Sequence, residues 1–131
     1  MQDRPTAHEL LDAVRRFLED EVVPHAEGQR AFLARVAANA VRIVAREMAL
    51  EDEHLVREWE GLDALLGPQP IPEAREARRL ALARRSAVLC ERIHAGEADT
   101  DPWRSQVLAH VQKTLRDKLA VSEPGWIKDD K

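Results

Sequence analysis

An all-α fold, a five-helix bundle in a single domain, is predicted by three features of the sequence. The 131 residues include no Tyr, two Phe and five Gly. Ala, Leu, Arg and Glu, the strong helix formers, are abundant, and the aromatic residues that favour strands are scarce. Apolar residues recur at steps of three and four along almost the whole chain, the period of a helix with a buried face. Helix-stopping residues stand between these runs, at Pro24, Gly67-Pro68 and Gly96. The length suits one domain, expected to span residues 1–127, with 128–131 as a disordered tail.

The first helix is expected to start at Thr6, because Thr6-Ala7-His8-Glu9 reads as a capping box. Its apolar positions are Leu10, Leu11, Val14, Phe17, Leu18 and Val22, and Pro24 stops it. The second helix, from about Gln29 to Leu50, has a broad apolar face of Phe32, Leu33, Val36, Ala37, Ala40, Ile43, Val44 and Met48. A break is placed near Leu50–Asp52, where Glu51, Asp52 and Glu53 suit the positive end of a new helix. A continuous bent helix is the alternative. The third helix carries the stripe Leu55, Trp59, Leu62 and Leu66 and ends at Gly67-Pro68. The stiff segment Gly67–Pro72 is read as a crossover within one bundle. The fourth helix spans roughly Glu73 to Ala95, with Gly96 as its stop. The fifth opens at Asp101-Pro102 and is expected to bury Val107, Leu108, Val111, Leu115 and Leu119.

Charge and motifs exclude more functions than they suggest. A net charge of −4 and a pI near 5.7 supply no global attraction to phosphate backbones, which argues against a nucleic-acid partner. The fourth helix is rich in Arg (Arg75, Arg78, Arg79, Arg84, Arg85, Arg92), but such a run reads first as a solvated face with intrahelical ion pairs. The opening segment lacks the apolar run of a signal peptide, and no stretch is long and apolar enough for a membrane span. A single cysteine, Cys90, forms no internal disulfide and suits a cytoplasmic location. Its neighbours Leu89 and Ile93 suggest a buried thiol. Of the three tryptophans, Trp59 is expected in the core, and Trp126 is expected to tuck against the bundle. No Gly-rich phosphate loop, Ser/His/Asp pattern or Cys/His zinc spacing occurs, so neither catalytic residues nor a cofactor are expected.

Two groups of residues have the spacing of a site. Glu51…His54 and Glu91…His94 are Glu-x-x-His motifs, the pattern that two helices of a di-iron bundle contribute. They are set aside as metal ligands. Glu51 falls in an expected first turn and His94 in a last one, where the helix dipole favours those residue types. No Glu of the first two helices lies in an apolar stripe as a bridging ligand should. The second group is Arg35, Asn39, Arg42 and Arg46, which line one side of the second helix. Fixed guanidiniums there suit an anionic ligand; the plainer reading pairs them with Asp12, Glu19 and Asp20 of the first helix.

Three segments carry a resemblance: Met1-Gln2-Asp3-Arg4-Pro5 with Glu9-Leu10-Leu11, the run Phe32-Leu33-Ala34-Arg35-Val36-Ala37-Ala38-Asn39-Ala40, and Lys118-Leu119-Ala120-Val121 followed by Pro124. Together they resemble a bacterial family of small helical proteins of unknown function. Its members are commonly encoded beside acyl-CoA dehydrogenases and kinases that look like aminoglycoside phosphotransferases. The resemblance implies a genomic neighbourhood and no catalytic residues. A narrower likeness joins residues 14–24 to the first helix of many acyl-CoA dehydrogenases, although the chain is too short for that three-domain enzyme. The expectation is therefore a non-catalytic interaction module, forming a homodimer through its helix faces or binding an enzyme encoded nearby. The alternative is a binder of small anions using Arg35, Asn39, Arg42 and Arg46.

Overall fold

The capping box sits where the sequence places it. In the computed structural model, which describes residues 3–128, the Thr6 hydroxyl accepts from the Glu9 amide at 3.2 Å. The Glu9 carboxylate accepts from the Thr6 amide at 2.8 Å. This reciprocal pair satisfies two amides that the first turn leaves open and starts helix α1, Ala7–Arg16. Helical rotation continues beyond it with wider π-type turns over Phe17–Val22 and a short 3-10 turn, Val23–His25, that contains Pro24.

Helix α2 runs unbroken over 39 residues, Gly28–Leu66, which corrects the expected five helices to four. The predicted break near Leu50–Asp52 does not form. No Gly or Pro occurs between Met48 and His54 to stop the helix. The acidic residues there also have another use, since Asp52 accepts from Arg75 at 2.9 Å and Glu51 is paired with Arg79. Gly67, with φ of +97°, ends α2 in a conformation that disfavours side chains. Helix α3 spans Arg75–His94 and is followed by Gly96 at φ +87°. Helix α4 spans Trp103–Ser122, and a 3-10 turn, Pro124–Trp126, follows. Asp101 serves the start of α4 by accepting from the Ser105 amide at 3.1 Å. Among the described residues there is no strand, and no helix is long and apolar enough to cross a membrane. Of the expected tail, residues 129–131 lie outside the described residues, and the Lys128 carbonyl accepts from Arg116 at 3.5 Å.

The chain divides into two compact units, Met1–Leu50 and Glu51–Lys131. The boundary falls inside α2, so the proline-rich connector lies within the second unit, as a crossover. In the first unit the buried apolar residues are Ala31, Ala34 and Ala38; Leu11, Leu18, Val22 and Val23 are half-buried. In the second unit Trp59, Leu62 and Leu65 of α2 pack with Leu82 and Leu89 of α3 and Val107 of α4. Leu62 is fully buried. The expectation that Leu108, Val111 and Leu115 are also buried is corrected, since all three are exposed. They occupy a side of α4 that its two neighbours in this unit do not cover.

Candidate docking surface and polar clusters

The polar residues of the first unit divide into spent and unspent charges. Arg15 donates to Asp12 at 2.7 Å and to Glu19 at 2.6 Å, and Arg16 reaches the other Asp12 oxygen at 2.9 Å. The Arg15 guanidinium holds the Asp12 carboxyl below its ordinary range, and its carboxylate partners raise Arg15 in turn. Glu19 also accepts from Arg42 at 2.5 Å. Within the predicted stripe, Arg42 is thus bound to an acid of the first helical segment. Arg46 is different: its Nε donates to the Arg42 carbonyl at 3.2 Å, and no carboxylate meets it among the described residues. Arg42 and Arg46 line a hollow with His8, the paired Asp12 and Arg15, and the apolar Leu11, Val41 and Ala45. Arg35, Asn39 and Arg42 line a second hollow, with Glu19, Val23 and Ala38. Three of the four residues therefore line one hollow, and Arg42 and Arg46 line the other.

The paired Glu-x-x-His motifs are spread across the second unit. Glu51 lies between Arg75 and Arg79. His54 Nε2 is 3.9 Å from Asp117, whose carboxylate accepts from Arg57 at 2.8 Å. Glu91 is exposed, and His94 Nδ1 is 3.0 Å from the Cys90 carbonyl oxygen. Among the described residues no three His, Cys, Asp or Glu side chains gather to hold a metal ion.

Arg85 was legible only as one member of a basic run, and the structure gives it a different place. It is buried, with its guanidinium 4.5 Å from the centre of the Trp59 ring. It donates to Asp63 at 2.7 Å and to the Gly67 carbonyl at 2.8 Å. Asp63 also accepts from the Gln69 amide, and the Trp59 indole donates to the Gln69 carbonyl at 3.0 Å. This network fastens the connector between α2 and α3 to the core. The available signal was spacing, because Leu82, Arg85 and Leu89 step by three and four along one face. Arg75, Arg78, Arg79 and Arg92 have intramolecular partners too. Arg92 additionally stacks on Trp103 at 4.5 Å.

Two further expectations change. Cys90 is exposed, next to the buried Leu89 on α3, and Trp126 is 73% exposed. Trp126 is itself the last residue of the 3-10 turn. His110 of α4 shares a hollow with Glu58, Ser86 and Cys90. Burial pushes its imidazole below the ordinary value near 6.5, with Glu58 opposing and Lys113 adding to the shift.

Large apolar side chains of the first unit also stand exposed. On α2 the side chains of Phe32, Leu33, Val36, Val44 and Met48 are exposed, while Ala31, Ala34 and Ala38 are buried. Burying the small residues and exposing the large ones reverses the usual order for an isolated helix pair. Contiguous apolar surface of that kind marks docking sites. The face lies wholly within the first unit. No curated protein and no solved structure matches the chain. A family model described as a domain of unknown function, DUF6285, matches residues 24–126, a span that takes in α2, α3 and α4. The chain belongs to the DUF6285 family.

Proposed function

We propose that the chain is a non-catalytic helical interaction module that associates with a second copy of itself through the apolar face of α2. The observation that carries this reading is the exposure of Phe32, Leu33, Val36, Val44 and Met48 on one helix. Removing such surface from water is the main driving force of association, and two-fold pairing is its commonest closed solution. Light scattering over a dilution series tests it. The expected mass rises with concentration from that of the 14.8 kDa chain towards twice that value; a mass that stays at one chain throughout refutes the reading. The resemblance to a family encoded beside acyl-CoA dehydrogenases and kinases adds an enzyme handling acyl-CoA or a phosphorylated intermediate as a second partner. The exposed stripe Leu108, Val111 and Leu115 of α4 is the surface proposed for it. Purified enzyme should bind the wild-type chain and not Val111→Asp.

Arg46 favours a second reading, a site for a small phosphate or carboxylate over the hollow it shares with His8 and Arg42. Its terminal nitrogens meet no carboxylate among the described residues, and a guanidinium fork suits a two-oxygen anion. Inorganic phosphate should raise the melting temperature of the wild type and not of Arg46→Gln. An equal shift in both excludes the site.

A further inference from the structure

We infer that the α2 face is the seam of a two-fold dimer in which two α2 helices cross antiparallel, with Ala40 at the crossing point. This rests on the self-association proposed above and names its partner surface and register. Phe32, Val36, Ala40, Val44 and Met48 step by four, so they form one continuous ridge on the helix. The four larger side chains are 60, 49, 44 and 51% exposed in that order, and Ala40 is exposed as well. Among the described residues the ridge is thus about half open along its length.

Side-chain size along the ridge follows the shape of a helix crossing. Helices that meet by ridges of this kind cross at an angle of about 50°, so they are closest at one point and separate on both sides of it. Ala40 stands in the middle, where the gap is narrowest. Val36 and Val44 lie one turn out, and Phe32 and Met48 lie two turns out, where the gap is wide. The order large, medium, small, medium, large is nearly a palindrome. An antiparallel two-fold axis beside Ala40 sets Val36 on the second copy's Val44 and Phe32 on its Met48. The latter pair gains a thioether–aromatic contact. A parallel crossing would instead pair each residue with itself and leave the two helix dipoles aligned rather than opposed.

With Leu33 and the half-buried Ile43 at its edges, the seam consists of a few partly exposed side chains, which puts it at the small end of specific interfaces. The dimer is accordingly reversible rather than permanent.

Single-cysteine chains test the register. In a Cys90→Ser background, Val36→Cys and Val44→Cys chains are mixed at equal concentration under mild oxidation. Disulfides need Cβ atoms about 3.5–4.5 Å apart, which the antiparallel seam offers only between position 36 of one copy and position 44 of the other. The expected product is the mixed 36–44 dimer, in several-fold excess over either chain oxidised alone. Dominant 36–36 and 44–44 products overturn the antiparallel register. Absent cross-links, with a wild type that scatters as a dimer, overturn this seam and leave self-association standing. Absent cross-links with a monomeric wild type overturn both.

Discussion

Arg85 is a guanidinium held between the Trp59 ring and Asp63, and its removal should be felt far beyond one ion pair. Truncating one partner of a buried pair costs about 3–5 kcal/mol because the other charge is left behind. Asp63 retains some contact with water, which brings the expected loss for Arg85→Met to about 2–3 kcal/mol. A urea titration measures it, and a loss under about half a kcal/mol would show that the connector is held without this network. His110 supplies a pH effect whose sign follows from its shift. Its folded-state value is lowered, so protonation favours the unfolded chain. The stability it protects is fully present above the unfolded value near 6.5 and is lost as pH falls below it. The urea midpoint should fall between pH 7.5 and 5.5, and the fall should be smaller in His110→Gln. An identical fall in both chains contradicts the assignment. At this scale the sequence was a partial guide. Trp59 was recognisable as core from its stripe, whereas Cys90 was misplaced, because apolar neighbours at 89 and 93 do not fix which side of a helix a residue faces. Gly61 carried no signal either; in the structure a side chain there would come within 2.3 Å of the His110 ring.

Among the elements, those with local signals were readable and those whose ends depend on distant partners were not. The capping box at Thr6 and the stops at Gly67 and Gly96 need only neighbouring residues, and all three stand as expected. The continuity of α2 was hidden because Glu51 and Asp52 look like the start of a helix, while their actual partners, Arg75 and Arg79, are more than twenty residues away. The stripe through Trp59 and Leu62 was plain, and it yields a direct test. Leu62 is fully buried, so Leu62→Ala should destabilise the chain by about 2–4 kcal/mol through the cavity it opens. A change under about half a kcal/mol in the same titration would mean that the second half of α2 is not packed as described.

For the whole molecule, the all-helical class was legible and the partition into two units was not. The boundary between Leu50 and Glu51 coincides with the acidic run at which a helix break was expected, but the helix runs on through it without a Gly or Pro. The arginine stripe was legible as a line of residues, but the pairing of Arg42 with Glu19 and its place in both hollows depend on how the first helical segment passes it. The apolar breadth of α2 was legible too, and its exposure in the structure is the basis for the proposed self-association. Its central claim concerns Ala40, an exposed residue on a helix, where Glu is well tolerated by the isolated chain. In an antiparallel dimer crossing at Ala40, the same substitution brings two like charges together at the narrowest point, which costs several kcal/mol. Sedimentation equilibrium of wild type and Ala40→Glu, at concentrations where the wild type is dimeric, is the most direct measurement. Ala40→Glu is expected to sediment as a single 14.8 kDa chain with unchanged helical circular dichroism; a variant that remains as dimeric as the wild type rules out a crossing at Ala40.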